Sequence, residues 1–280
     1  MFTLGINAAF HDSSACIIKN GQLIAAAEEE RFTQIKHGKR PIPFSAYELP
    51  FHAIHYCLET AGIHLNEVDH VAYSFDPYLL LGEEKGKPKI EIPLEPGMET
   101  GPSKWTSPWD PLFLSSIVKA PAQLVDGYPH HLQKRFKGTP HNQLQWHFVE
   151  HHIAHAASAY YPSPFNSAAV LTLDGRGEIA TTTYNIGREK ELLRIGQVNM
   201  PHSLGLLYER VTSYLGFLHS SDEYKVMALA SYGKPVFIND FREMIHVEAN
   251  GQYTIDNERL EERFGPVRLK NNPFTPHHFN

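Results

Sequence analysis

One pattern occurs twice in this chain, and it restricts the fold more than any other feature. Residues 2–6 form a short apolar run, and the polar loop AFHDSS follows. Residues 14–18 form a second run, Asn20-Gly21 marks a two-residue turn, and residues 23–27 form a third run. The order is strand, polar loop, strand, turn, strand. It returns at 167–173, with Asp174-Gly175-Arg176-Gly177-Glu178 as the polar loop. Residues 179–186 and 192–198 then read as the second and third strands, joined by a turn at 187–191. Residue identity between the copies is low, so the repeat is one of pattern. Each copy precedes a segment of helical spacing. The first covers 51–61 and stops at Gly62; the second aligns Leu204, Leu207, Tyr208, Val211 and Leu215 on one face. Such a chain is α/β, with duplicated lobes of the ribonuclease-H/actin type. In that architecture the first hairpin loop of each lobe points into the cleft between lobes. Residues 7–14 and 174–178 are therefore expected to face a common ligand, with loop N–H groups on phosphate oxygens.

The remaining segments fit around this frame. Residues 68–75 and 145–149 read as strands, and 151–160 as a helix closed by Pro162 and Pro164. Residues 82–111 are rich in Pro, Gly, Lys and Glu and read as irregular, while 111–136 is more apolar and partly helical. The expected division is a first lobe over 1–165, with an insertion at about 82–136, and the start of a second lobe over 166–280. At 42% hydrophobic, 280 residues can bury a sizeable core. The net charge of −6 argues against a nucleic-acid surface built on bulk positive charge. Cys16 and Cys57 sit in apolar stretches without metal-ligand spacing, as small buried hydrophobes of a reducing cytoplasm do. The N-terminus lacks the basic and apolar regions of a signal peptide, and no apolar run is long enough to span a bilayer.

The chain holds 18 histidines, and their clustering is informative. In His151-His152-Ile153-Ala154-His155, His151 and His155 are four apart and share one helix face. Two imidazoles at that spacing suit a transition metal, and Asp174, opening the next hairpin loop, is the natural third ligand. Two histidines, one carboxylate and open positions form the pattern of a catalytic metal. The competing reading is a helix end whose histidines bond locally. His11 is the one histidine of the first hairpin loop, and near neutrality it can take a proton from a hydroxyl, with Asp12 orienting the ring. A surface loop histidine is the plain alternative. Glu28, Glu29 and Glu30 read as a solvated strand end, with Arg31 pairing a carboxylate. In SDEYKVMALA, Lys225 can meet a phosphate as a point charge. The plainer reading of that segment is an amphipathic helix with Asp222 near its N-cap.

Five segments in order carry a family resemblance: NAAFHDSSA, AAEEERFT followed by Lys36-His37, HHIAHAASAYYPS, AVLTLDGRGE and DEYKVMALASYG. Together they resemble the O-carbamoyltransferases of nodulation and cephamycin biosynthesis, over residues 1 to about 235. That family is similar in fold to the metalloproteins that make threonylcarbamoyl-adenosine in tRNA. The resemblance implies an enzyme that uses carbamoyl phosphate and ATP to form carbamoyl-adenylate in a C-terminal domain. The N-terminal actin-like part then passes the carbamoyl group to a hydroxyl of a sugar, antibiotic or other natural product. It implies His151, His155 and Asp174 as ligands of iron, Fe(II), or another divalent metal, and His11 with Asp12 as the transfer residues. Ser13, Gly175, Arg176, Gly177, Glu223 and Lys225 match the nucleotide-facing positions.

Two departures stand out. Where the family reads KVMGLAPYG, this chain has Ala228 for Gly and Ser231 for Pro, which adds a methyl group and is expected to loosen a turn. Residues 239–280 supply neither a Gly-rich nucleotide loop, nor a fourth carboxylate ligand, nor an adenylate-forming domain, and no capped helix or closing strand is expected there. The missing part is then expected in cis or in trans, with His277 and His278 as substitute ligands. The other readings are a non-catalytic metal- or nucleotide-binding partner subunit, a tRNA-modifying role and an actin-fold sugar kinase. Trp105, Trp109 and Tyr128 are candidate acceptor contacts. An open second lobe would expose apolar surface and predicts self-association, which light scattering would read.

Overall fold

The computed structural model describes residues 1–38, 49–81, 110–126, 136, 144–218 and 221–265. Trp105, Trp109, Tyr128, His277 and His278 lie outside the described residues. By their contacts, Met1–Val149 and Glu150–Lys270 form two compact units.

The first unit opens on β1 (Phe2–Asn7), β2 (Ser14–Lys19) and β3 (Gln22–Glu28), paired antiparallel in sequence order. Asn20 and Gly21 have φ of 50° and 84°, the left-handed pair that lets a two-residue turn follow the strand twist. Alternation buries Leu4 and Ile6 from β1 and Ala15 and Ile17 from β2. A short helix α1 (Glu30–Thr33) precedes α2 (Phe51–Ala61), which buries Phe51, Ala53, Ile54, Cys57 and Leu58. Glu29 fixes where α2 starts. Its carboxylate accepts the backbone N–H groups of His52 at 3.3 Å and Ala53 at 2.9 Å, which a helix leaves unpaired in its first turn. Gly62 ends α2 at φ 65°, donating back to the carbonyls of Leu58 and Glu59.

Strand β4 (His70–Tyr73) runs parallel to β1, α3 (Tyr78–Leu81) and α4 (Asp110–Asp126) follow, and β5 (Gln145–Phe148) runs parallel to β4. Parallel neighbours need crossovers, and α2 and α4 lie in the two crossovers. The sheet order is β3-β2-β1-β4-β5, that of a ribonuclease-H-type lobe. Helix α4 lies inside the segment read as an insertion, yet Leu114, Ile117, Ala120 and Leu124 belong to the same core as β1 and α2. That part of 82–136 is a core element, because its apolar side chains cover the sheet.

The second unit holds α5 (His151–Tyr160) and the antiparallel meander β6 (Ser167–Leu173), β7 (Ala180–Arg188) and β8 (Glu191–Asn199). The strand triple of the first unit thus recurs, and the chain is an α/β protein with a duplicated ribonuclease-H/actin-type start. Helix α5, placed in the first lobe by the 165/166 boundary, groups by its contacts with the second unit. Ala156 and Tyr160 pack with Val170 of β6, which explains the grouping. Then come α6 (Leu204–Tyr214), α7 (Glu223–Ala230), α8 (Ile238–Met244), a hairpin of β9 (Ile245–Val247) and β10 (Tyr253–Ile255), and α9 (Asn257–Phe264). The hairpin and α9 correct the expectation of no closing strand or capped helix after residue 239. Tyr253, Ile255 and Leu260 join Val198, Leu207 and Met244 in the core, and the Asp256 carboxylate caps α9 through the Arg259 N–H at 3.1 Å. No helix among the described residues is long and apolar enough to cross a membrane.

Candidate functional site

Three predicted ligands meet in the second unit. His151 Nε2 lies 2.7 Å from Asp174 Oδ2, His155 Nε2 lies 3.3 Å from the same oxygen, and the two ring nitrogens are 3.1 Å apart. A metal–nitrogen bond of about 2.1 Å puts adjacent donors about 3.0 Å apart at 90° and about 3.4 Å apart at the tetrahedral angle. The 3.1 and 3.3 Å separations fall within that range, and the 2.7 Å one is the length of a His151–Asp174 hydrogen bond that a cation would open slightly. Two imidazole nitrogens facing each other can share at most one hydrogen bond, so local bonding leaves this set less satisfied than a cation does. The donor set fits a divalent transition metal. Burial works against the Asp174 charge, but hydrogen bonds from His151 and His155 outweigh it and hold the carboxyl well below the usual range.

The surroundings explain why these side chains converge. The β6–β7 loop is cross-tied: Asp174 N–H donates to Thr181 O at 3.0 Å and Gly177 N–H to Ala180 O at 2.8 Å. The buried Glu178 carboxylate accepts the His151 N–H at 3.0 and 3.1 Å, capping α5 from outside its own segment. His152 faces the opposite way and is fully buried, with Nδ1 2.7 Å from Thr172 Oγ1 and Nε2 2.9 Å from Ala180 O. Burial, helped by the neighbouring His151, pushes its pKa down, so the ring is neutral. Ser203 caps α6, accepting the Leu206 N–H at 3.0 Å, and donates to Gly175 O at 2.6 Å. A Cβ on Gly205 would sit 2.5 Å from Gly175 N and 2.7 Å from Asp174 O, so only glycine lets α6 approach. Gly205→Ala is therefore expected to displace Asp174, lower stability by about 1–3 kcal/mol and reduce bound metal. Thermal melts beside metal analysis check it; an unchanged metal content would show that the loop tolerates the shift.

The glycines do not do what the sequence pattern suggests. Gly175 N–H donates to its neighbour's Asp174 Oδ1 at 2.6 Å, and Gly177 N–H is bound to Ala180. The expectation that these two N–H groups hold a phosphate is corrected: both are used inside the loop. The close packing of Gly177 against α5 is what demands a glycine, since a Cβ would meet the His152 ring at 2.9 Å. Arg176 lies on the same loop, half-buried. Glu223 and Lys225 are on α7, in this unit. Lys225 Nζ pairs with Asp222 Oδ1 at 2.9 Å, and that hydrogen bond raises its pKa. Asp222 stands at the N-cap position without capping the helix. It instead accepts the Leu218 N–H at 3.2 Å. Ser231, expected to loosen a turn, closes α7 through Oγ to Ala228 O at 2.7 Å.

His11, Asp12 and Ser13 lie in the β1–β2 loop of the first unit. His11 Nδ1 is 2.7 Å from Asp12 Oδ2, and the other Asp12 oxygen is 2.8 Å from His37 Nδ1. The His11 hydrogen bond, helped by His37 and opposed by burial, holds the Asp12 carboxyl well below the usual range. Asn7 Nδ2 donates to the carbonyls of His11 and Asp12, and Ser74 Oγ donates to Asn7 Oδ1 at 2.7 Å. Ser13 contributes its backbone carbonyl to the Glu29 N–H at 2.8 Å. Arg31 pairs with Glu28 at 2.9 Å, as expected, while Glu29 caps α2 and Glu30 accepts the His37 N–H at 2.9 Å. Sequence reasoning assigned no role to Glu178, Ser203, Gly205 or His37. Ser203 carried a signal, a serine directly before an apolar helical period. The other three act through contacts that no local pattern encodes.

A family described as "Carbamoyltransferase N-terminus" matches residues 3–96 and 101–265. An uncharacterized protein, sll1178, of Synechocystis is 35% identical over 97% of this chain and 44% of its own length. The nodulation protein NolNO of Sinorhizobium fredii is 33% identical over 97% of this chain and 36% of its own length. The chain thus spans less than half of either relative. Among solved structures, YeaZ from Pseudomonas aeruginosa aligns over 72% of this chain and 68% of its own, with a TM-score of 0.32 and 14% identity.

Proposed function

The chain belongs to the carbamoyltransferase N-terminal family, and from that premise we propose that it transfers a carbamoyl group from carbamoyl-adenylate to a hydroxyl oxygen. The donor is made from carbamoyl phosphate and ATP, and the acceptor is a sugar, antibiotic or other hydroxyl-bearing small molecule. The convergence of two imidazole nitrogens and one carboxylate oxygen carries the reading. His151, His155 and Asp174 would hold a divalent metal such as Fe(II), which when bound supplies Lewis-acid stabilisation of negative charge on oxygen.

The rest is done by side chains of this chain. The acceptor oxygen attacks the carbamoyl carbon, the bond to the phosphate oxygen breaks, and AMP leaves. One proton is released from the acceptor hydroxyl. His11 takes it: with its Nδ1 hydrogen given to Asp12, the neutral ring keeps the Nε2 lone pair as base. Asp12 then stabilises the imidazolium that forms. The family resemblance proposes Ser13 on the first unit, and Gly175, Arg176, Gly177, Glu223 and Lys225 on the second, as nucleotide-binding candidates.

The test supplies carbamoyl-adenylate to the metal-loaded chain with a panel of sugar acceptors and follows O-carbamate and AMP by mass spectrometry. Wild type is expected to turn over, and His11→Ala to lose about 10²–10⁴-fold while keeping its metal. Metal retained without turnover in wild type would favour the second reading, a non-catalytic metal- or nucleotide-binding subunit.

A further inference from the structure

We propose that His37 is a positioning residue for the His11–Asp12 pair: its Nδ1–H holds one oxygen of the Asp12 carboxylate and so aims the other at His11. The proposal rests on the reading of His11 as the proton acceptor. It is carried by a His–Asp–His chain in which His11 adjoins Asp12 and His37 lies 25 residues from it in sequence.

A carboxylate only accepts hydrogen bonds, so each ring that meets Asp12 must carry its hydrogen on Nδ1. His11 Nδ1 is 2.7 Å from Oδ2, and His37 Nδ1 is 2.8 Å from Oδ1. The two partners differ in freedom. The His11 side chain is 54% exposed, and Asp12 is the one partner of its ring among the described residues. His37 is anchored at three atoms. Its carbonyl accepts the Asp12 N–H at 3.0 Å, its own N–H donates to Glu30 Oε2 at 2.9 Å, and its ring holds Asp12. Asp12 and His37 both adopt left-handed backbone, at φ 49° and 57°, a conformation that holds only where surrounding bonds enforce it.

His37 Nε2 completes the argument. It is buried and meets no hydrogen-bond partner among the described residues. Among the described residues the ring's one polar contact is therefore Nδ1–H to Asp12, the bond that tethers the carboxylate. Without His37 the carboxylate loses its second tether and is free to turn about its last torsion. His11 would then revert to the tautomer mixture of an exposed ring, with part of the population carrying its hydrogen on Nε2 and unable to take a proton at that atom.

The experiment uses the full chain labelled with ¹⁵N-histidine, as wild type, His37→Asn and His37→Gln. Asparagine presents an amide near the position of Nδ1, and glutamine near that of Nε2. Ring nitrogen shifts, assigned to His11 by their loss in His11→Gln, are expected to report the Nδ1–H tautomer in wild type and His37→Asn, and a mixture in His37→Gln. Carbamoyl transfer is expected to fall at least about tenfold in kcat in His37→Gln, with the acceptor KM unchanged, and to recover in His37→Asn. An unchanged His11 tautomer in a folded His37→Gln overturns the proposal. Should that variant not fold, the wild-type spectrum decides alone, because His37 found as Nε2–H overturns it and Nδ1–H upholds it. A tautomer shift beside full transfer activity in His11→Ala upholds the positioning and sinks the base reading instead.

Discussion

The chain purified without oxygen is expected to carry a transition metal in stoichiometric amount, and the His151→Ala/His155→Ala double variant none. The double variant removes two of the three converging donors and leaves one carboxylate oxygen, which by itself binds such ions weakly. Loss of a partner outside the ligand set costs about 10–100-fold in metal affinity, so loss of two ligands exceeds that. The variant should fold, because α5 keeps two anchors besides the His151–Asp174 contact. Glu178 caps the helix through the His151 backbone N–H, and His152 fixes it to the sheet. Both anchors survive the substitutions, and circular dichroism beside metal analysis separates loss of ligands from loss of fold. Metal absent from a folded wild type would overturn the ligand assignment and put the non-catalytic reading first. Metal retained by the double variant would mean that it binds elsewhere.

The order of elements was legible where local chemistry is decisive. Asn20-Gly21 can adopt left-handed backbone at little cost, so the first hairpin was readable from two letters. Gly62 marked the end of α2 for the same reason. The spacing of His151 and His155 was readable because helical geometry alone puts residues four apart on one face. What the sequence hid depends on contacts between distant residues. Helix α4 was readable as an apolar, partly helical stretch, but only the packing of Leu114 and Ile117 with β1 and α2 makes it core rather than insertion. The expectation for the DGRGE loop failed at Gly175 and Gly177 because cross-ties to Asp174 and Ala180 consume both N–H groups. Glu29 looked like solvated charge and Glu178 like part of a ligand-facing loop, yet each caps a helix that begins far from it in sequence. His37 could not be placed because its partner, Asp12, stands on a different loop. In these cases the residue type was visible and its partner was not.

His152→Leu is expected to cost about 3 kcal/mol of unfolding free energy, a large share of a typical total of about 5–15 kcal/mol. The reason is a chain of hydrogen bonds with one consistent direction. Asn185 Nδ2 donates to Thr183 Oγ1 at 2.8 Å, and Thr183 and Thr172 hydroxyls are 2.7 Å apart. Ala180 O can only accept, so the neutral His152 ring carries its hydrogen on Nε2, Nδ1 takes the Thr172 hydrogen at 2.7 Å, and the Thr183 hydroxyl is left as donor to Thr172. His152 Nε2–H donates to Ala180 O at 2.9 Å. The neutral ring thus accepts on one side and donates on the other, spanning β6 and β7 from α5. Leucine can do neither, and it leaves the Thr172 hydrogen and the Ala180 carbonyl unpaired in a buried site, at about 1–3 kcal/mol each. Ala180 O also accepts the Gly177 N–H, which moderates the second loss. Thr183→Val, further along the chain, removes a donor to Thr172 but leaves the His152 bonds in place, and should cost about 1 kcal/mol. Urea titrations of the metal-free chain measure both without a contribution from bound ion. The same substitution at 152 lets α5 shift over the sheet, and His151 and His155 move with it, so metal affinity falls about 10–100-fold although no ligand is removed. Equal stability of His152→Leu and wild type would mean that apolar packing, not the hydrogen-bond chain, holds the metal helix.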